Sequence, residues 1–306
     1  MKKWGWLLIA GLLALSMAAK GDLMNIFGSK PYADAFFEGD MLNIAKAIKK
    51  KDGEKITKLG KALEDIDAPG KHGMTLLGFA VNDENPVAIK ALMALGADPS
   101  IELPELGSVA YHAMWRKSDE PLKALLESGM DPNTANEGSL RTLIFNTPAL
   151  EQSNAMQLLV EYGADVNARD TLGNTPLIHI LPVRFDDSLY LLNHGADPYA
   201  MNNEGISVAY SVQEELEHMD QSTEAYQKML KIQQKLVEKG VKFPALTPFG
   251  ERFRNNIVFC QEPHGYMPKA ECKVEGVNEF LGEQTEQEKR LDEKILKERF
   301  GIEHRF

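Results

Sequence analysis

Basic residues, cysteines and long apolar runs are all scarce in this sequence of 306 residues. Its 45 acidic residues outnumber its 34 lysines and arginines, which gives a formal net charge of -11. A nucleic acid or an anionic membrane surface requires a concentrated basic patch, so this charge argues against both as partners. The apolar run over residues 4–15 is shorter than the roughly 20 residues that a membrane-spanning helix needs.

Catalytic motifs are also missing. The sequence contains no glycine-rich phosphate loop, no nucleophile elbow and no paired-histidine metal motif. Its seven histidines are scattered along the chain. We therefore expect a protein without enzymatic activity, without a cofactor and without a bound metal.

The two cysteines, Cys260 and Cys272, lie near the carboxyl end. In an oxidising compartment this spacing predicts a disulfide, which would stabilise the segment by roughly 3 kcal/mol in the chain-entropy model. A metal site formed by both cysteines and His264 is the alternative. That spacing matches no standard zinc pattern and lacks a clear fourth ligand.

Residues 1–19 have the three parts of a secretion signal: Lys2 and Lys3, an apolar core, and a small-residue cleavage region at residues 16–19. Cleavage would release a periplasmic protein. An uncleaved signal would instead anchor the chain in the inner membrane, and only then would a membrane be a partner.

Two residue types recur along the chain at a nearly constant interval. A small hydroxyl residue opens each unit, with steps of 33, 34, 33 and 32 residues, and a glycine closes it. The hydroxyl accepts from free amides in the first turn of a helix, and glycine ends a helix in the left-handed conformation. The openers are Thr75, Ser108, Thr142, Thr175 and Ser207, and the closing glycines are Gly96, Gly129, Gly163, Gly195 and Gly240.

Between opener and closer, apolar residues at helical spacing form one face that a single unit cannot cover. Stacking of successive units buries that face, so the pattern predicts an all-α solenoid. The period near 33 and the Thr-Pro-Leu opening at residues 175–177 resemble the ankyrin repeat. The resemblance covers residues 71–244, about five repeats, and implies a binding surface on the concave helices and turn tips.

The resemblance implies ten candidate partner-binding residues. Trp115 and His112 are the preferred anchors, because large amphipathic side chains are typical of binding surfaces. The alternative for Trp115 is that it covers a seam between two repeats. The concave candidates are Phe79, Asn82, His112, Trp115, Asn146 and His179, and the candidates at the turn tips are Arg169, Asp170, Asn203 and Glu204.

Segments outside the regular repeats complete the expected organisation. Residues 31–70 read as a helical amino-terminal cap or a degenerate repeat, and residues 245–306 as an extension with a loop at 246–263 and a charged helix at 284–300. The last repeat carries an acidic insertion at residues 214–227, which either lengthens both helices or bulges from the loop between them. It is either a recognition element for a basic partner or a solvated extension.

The amino-terminal unit carries a Phe-Phe-x-Gly-Asp sequence at residues 36–40 and is followed by Gly-Ala-Asp-Pro units. This plan, with its export signal, resembles immunity proteins encoded beside type VI secretion phospholipase effectors. The resemblance implies a protein, monomeric when free, that binds a phospholipase toxin in the periplasm. The alternatives are a scaffold that supports another exported enzyme in a stress response and an envelope-anchored interaction protein.

Overall fold

The computed structural model describes residues 32–135, 140–147, 154–261 and 284–306. They form two compact units, one with residues up to 132 together with 147 and 154–158, the other with the remainder. The signal segment at 1–19, Cys272 and the side chain of Cys260 lie outside the described residues. Cleavage of the signal and formation of the disulfide therefore stay predictions.

The first unit contains three stacked helical hairpins. The first helices of successive hairpins pack on one another, as do the second helices. The segment before residue 71 supplies one of these hairpins. In chain order the elements are α1 (Ala33–Phe36), α2 (Gly39–Lys49), α3 (Gly53–Gly60), a 3-10 turn (Lys71–Gly73), α4 (Leu76–Asn82), α5 (Pro86–Met93), β1 (Glu102–Leu103), β2 (Gly107–Ser108), α6 (Val109–Met114) and α7 (Glu120–Glu127). Strands β1 and β2 are antiparallel, with Glu102 opposite Ser108.

The second unit repeats the hairpin arrangement. The α9–α10 and α11–α12 hairpins pack on each other, and α13 packs against α14. Helix α8 (Ala155–Glu161) falls at the boundary between the units. The other elements are a 3-10 turn (Leu143–Asn146), α9 (Pro176–Ile180), α10 (Phe185–Asn193), α11 (Val208–His218), α12 (Glu224–Glu238), α13 (Pro248–Gln261) and α14 (Glu286–Phe300).

Four of the five predicted openers cap a helix, as expected. The side-chain hydroxyls of Thr75, Ser108, Thr175 and Ser207 each accept from the amide three residues later, at 3.0, 3.1, 3.4 and 3.1 Å. Thr142 is the exception, because its buried hydroxyl has no hydrogen-bond partner among the described residues and only a 3-10 turn follows it. Pro148 stands six residues later and disfavours helical conformation at the preceding residue, which leaves little room for an α-helix.

All five predicted closing glycines are left-handed, with φ angles between 90° and 96°. Past the closing glycine, an asparagine in one tip bridges to the next tip. In the second unit the Asn167 side chain accepts from the Asp197 amide at 2.8 Å and donates to the Gly195 carbonyl at 3.0 Å. Asn133 makes the same pair of bonds one repeat earlier, with Asp165 and Gly163. Successive closing turns are therefore joined by side-chain hydrogen bonds.

The acidic insertion lengthens both helices of its hairpin. Helices α11 and α12 have 11 and 15 residues, whereas α9 and α10 have 5 and 9. At the base of the extension, the Lys228 ammonium lies 2.8 Å from Asp186 and 3.3 Å from Glu224. The first of the two predicted alternatives is the one that the structure adopts.

The predicted loop at residues 246–263 is wrong, because α13 occupies most of that segment. The Thr247 hydroxyl accepts from the Gly250 amide, and Pro248 stands at the first helical position, where its missing amide costs nothing. Proline and glycine thus lie in the first turn, where they do not interrupt the helix. After α14, Gly301 is left-handed with a φ of 68°. The hydroxyl opener and glycine closer therefore recur in a further, irregular hairpin.

A buried carboxylate fastens this last hairpin. Asp292 of α14 is fully buried and accepts from the Thr247 amide at 2.9 Å, from the Thr247 hydroxyl and from the Gln284 amide group at 2.9 Å. Burial raises the pKa of Asp292, while these hydrogen bonds oppose the rise. Beside it, an apolar cluster joins α13 to α14 through Leu246, Phe253, Ile295 and Leu296. The predicted charged helix thus packs through its apolar residues Ile295 and Leu296.

Replacement of Asp292 by alanine should loosen the last hairpin, because three donors would lose a buried acceptor. We expect a loss of about 2 kcal/mol in the free energy of unfolding, measured by urea denaturation. Amide hydrogen exchange in α14 should accelerate. Glu298→Ala, an exposed position on the same helix, is the matched control, and equal urea midpoints for the two variants would contradict this role.

Candidate protein-binding surface

In the first unit an exposed aromatic side chain stands at the end of α6. Trp115 directly follows this helix and is 42% exposed. Its ring centroid lies 6.1 Å from that of Tyr111, and its indole donates to the Tyr111 hydroxyl. Burial raises the pKa of Tyr111, more than the indole hydrogen bond lowers it. Trp115 is therefore held in place by its neighbour while keeping much of its ring in solvent.

A polar network lies next to Trp115. One guanidinium nitrogen of Arg116, Nη1, is 3.0 Å from Asn82 Oδ1 and 3.1 Å from His112 Nε2. Because a guanidinium can only donate, Nε2 of His112 is the acceptor and its proton resides on Nδ1. The Arg116 Nε atom is 3.9 Å from a Glu84 carboxylate oxygen. These contacts join α6 to the preceding repeat.

His112 is neutral in this network. Burial, and then the charge of Arg116, lower the pKa of His112 to about 3. At neutral pH the imidazole is therefore uncharged, which leaves Nε2 free to accept a hydrogen bond. Its role in the structure is to accept from Arg116.

The structure corrects the prediction for three of the concave residues, because it buries their side chains. Phe79 is fully buried, with its ring centroid 6.1 Å from that of Phe36 and 5.5 Å from that of Phe37. Helix α1 and Phe37, which directly follows it, cover this face of the first regular repeat. Asn82 and His112 are only 8% and 6% exposed, beneath Arg116. None of the three side chains offers a surface to a partner.

The second unit holds the other predicted concave residues. Asn146 and His179 are half-buried, and the His179 ring lies 5.9 Å from that of Phe145. The pKa of His179 is lowered by burial and by the charges of Arg141 and Arg184, with Asp170 acting in the opposite direction. Both predicted side chains are thus partly accessible to solvent, near the start of their repeats in this unit.

At the turn tips, the structure also corrects the prediction that Asp170 contacts a partner. Its carboxylate accepts from the Leu172 and Asn174 amides at 3.0 and 2.9 Å and from the Arg141 guanidinium, and its side chain is only 1% exposed. It closes the turn and cannot contact a partner. Asn202 makes the equivalent bonds to the Glu204 and Ile206 amides in the next repeat.

The remaining tip candidates lie at the surface or partly so. Arg169 donates from Nη1 to the Gly173 carbonyl at 3.0 Å and to the Met201 carbonyl at 2.8 Å. Asn203 is exposed and donates to the Thr171 carbonyl, and Glu204 is exposed beside it. Arg169 therefore links two successive tips, while Asn203 and Glu204 offer side-chain surface.

Within the described ranges, no three histidine, cysteine, aspartate or glutamate side chains are grouped so that they could hold a metal ion. None of the helices in those ranges combines the length and the apolar character required to cross a bilayer.

Comparison with solved structures identifies the hairpin array. The ankyrin repeat domain of Bcl-3 aligns with 68% of this chain and 92% of its own length, with a TM-score of 0.54 and 24% identity. The chain has the ankyrin-repeat fold. Ankyrin repeats are a stacked, solenoid class of fold whose extended surfaces generally bind other proteins.

Sequence relatives match only parts of the ankyrin-repeat chain. Protein PhlB of Serratia liquefaciens is 30% identical over 137 residues, which are 44% of this chain and 60% of that protein. An ankyrin repeat-containing protein of Schizosaccharomyces pombe is 34% identical over 97 residues, 32% of this chain and 45% of that protein. The chain thus spans about half the length of these relatives. No protein-family model matches the sequence.

Sequence reasoning missed the residues that organise the ankyrin-repeat surface. Arg116 follows Trp115 directly and stands 34 residues after Asn82, so the repeat interval places it beside that residue. The bridging asparagines also carry a signal, because Asn133 and Asn167 each stand four residues after a closing glycine. Both signals are periodic and are visible once the repeats are aligned.

The stability of the first unit should depend on pH through His112. In the unfolded chain this residue binds a proton near its ordinary pKa of 6.5, whereas in the folded chain its pKa is about 3. Acid therefore favours the unfolded chain, and the free energy of unfolding should fall by up to about 1.4 kcal/mol per pH unit between pH 6 and pH 4.

His112→Gln keeps an acceptor for Arg116 and removes this titration. Urea unfolding of both proteins across the same pH range should show a shallower pH dependence in the variant. Parallel curves would show that His112 is not a buried neutral group.

Proposed function

We propose that this protein is a non-enzymatic binding module for another protein, and that it serves as an immunity protein that inhibits a type VI secretion lipase effector in the periplasm. The observation that carries the binding role is the exposed Trp115, held by Tyr111 on an ankyrin-repeat hairpin. The export signal at residues 1–19 and the plan of the amino-terminal unit support the location and the class of partner.

Trp115 has the properties of a binding anchor. Tryptophan is enriched among the residues that contribute most to protein interfaces, because it buries a large area with few rotatable bonds. A side chain that is already held loses little conformational entropy on binding. The contact with Tyr111, and the Arg116 network beside it, provide this pre-organisation.

The charge of the chain favours a basic partner surface. A formal net charge of -11 accelerates encounter with a positively charged protein. The lengthened α11–α12 hairpin adds exposed acid at Glu217, Asp220 and Glu224. A lipase that must reach an anionic membrane needs a basic face, so an acidic inhibitor that covers this face would block access to lipid.

Affinity capture of the exported protein from the periplasm of its own host tests the proposal. We expect one lipase-like protein, identified by mass spectrometry, to be retained and its hydrolysis to stop at an equimolar ratio. Retention of a stress enzyme whose activity rises would assign a scaffold role instead. Envelope components in variable ratio, together with an uncleaved signal, would indicate an anchored interaction protein.

Trp115→Ala should weaken partner binding by tenfold or more, because truncating a tryptophan anchor costs about 2 kcal/mol. The measurement is calorimetric titration with the captured protein. The matched control is Val87→Ala, another exposed apolar residue of the first unit, at 46% exposure, which should leave affinity unchanged. A Trp115 variant that is folded and binds as tightly as the native protein would exclude this residue as an anchor.

A further inference from the structure

A basic cleft of about 460 Å³ lies in the second unit, between the turn tip around Asn203 and the first turns of α13. Three arginines line it, Arg169, Arg252 and Arg254, against the single carboxylate of Glu251. The cleft therefore has a formal excess of two positive charges on a chain whose net charge is -11. Contact with a basic partner surface does not account for this local excess of positive charge.

The three arginines are not equally available. Arg254 donates from Nε and Nη2 to Glu251 at 3.0 and 2.7 Å, and its guanidinium lies 4.9 Å from the Phe300 ring centroid. Arg169 donates only from Nη1, to the two tip carbonyls, and keeps its other nitrogens for a ligand. For Arg252 the described part of the chain provides no hydrogen bond or ion pair. The spare positive charge of the cleft thus belongs to Arg252 and Arg169.

Gly205 brings the turn tip and α13 close enough to form the cleft. It is left-handed, with a φ of 86°, and a Cβ atom at this position would lie 2.4 Å from the Pro248 carbonyl oxygen and 2.8 Å from Arg252 Cγ. Only glycine permits this approach. Close packing against Gly205 therefore fixes the position of the aliphatic part of the Arg252 side chain. Its guanidinium has no acceptor in the described residues.

We propose that this cleft binds a carboxylate side chain in an acidic peptide segment of the protein partner. A guanidinium offers paired, coplanar donors that match the two oxygens of a carboxylate, and such charge-assisted pairs are the stronger hydrogen bonds in proteins. The cleft is large enough for a few side chains. Tyr199, which is 62% exposed, and Asn203 add stacking and hydrogen-bonding surface at its rim. This inference rests on the proposed function, since it assigns a second contact with the same kind of partner.

Fluorescence polarisation of the full chain with a labelled pool of blocked peptides tests the cleft. Each peptide carries two adjacent glutamates and random flanking positions. We expect saturable binding that weakens with salt, and a loss of tenfold or more in Arg252→Gln. Arg290→Gln, which removes an exposed arginine of α14 outside the cleft, is the matched control and should bind as the native protein does.

Several results would overturn the inference. They are absence of binding to the acidic pool at low salt, equal binding of a pool with glutamine in place of glutamate, and equal affinity in Arg252→Gln. Inorganic phosphate is the competing anion, and binding of phosphate without binding of the peptides would also reject a peptide site. If the native protein and Arg252→Gln capture the partner equally well, the result rejects the cleft as a binding site but leaves the proposed function standing. If the native protein captures no partner, the result rejects the proposed function instead.

Discussion

In the second unit, asparagine bridges join the tips of three successive repeats, and the order of these repeats depends on them. The closing glycine turns left-handed, which presents its carbonyl and the amide two residues later to the preceding tip. A single asparagine side chain meets both groups, as donor and as acceptor. Each bridge fixes one repeat of the second unit against the next, so the helices of adjacent hairpins are held in register.

The surface for binding arises where this regular packing is incomplete. In the first regular repeat, α1 and Phe37 cover Phe79, so that face belongs to the hydrophobic core. One repeat later the equivalent His112 is buried by Arg116, and only Trp115 extends into solvent. Arg116 needs Asn82 and His112 as partners, so these polar residues, which resemble a binding site, mostly position the exposed ring of Trp115. In the other unit the cleft around Arg252 has the opposite property, because the described residues supply no partner for the Arg252 charge.

Local signals predicted the repeats well, and long-range packing explains what they missed. Hydroxyl caps and left-handed glycines act within four residues, so Thr75 and Gly195 could be assigned from the sequence alone. Burial of Phe79 or Asp170 depends on residues that are 29 or more positions away, which periodicity does not reveal. Helix α13 was missed for a different reason, since Pro248 and Gly250 are residue types typical of loops, although both also fit a first helical turn. Its opener, Thr247, lies 40 residues after Ser207 and therefore outside the regular interval.

The central claim is that an exposed, pre-organised aromatic surface on an ankyrin-repeat hairpin binds a folded protein. Hydrogen–deuterium exchange of this chain, alone and in complex with the captured protein, tests it most directly. The account predicts slower exchange in the complex over residues 108–118, with exchange in helices α2 and α3 unchanged. Unchanged exchange over 108–118 in a saturated complex would contradict it and place the interface elsewhere on the chain.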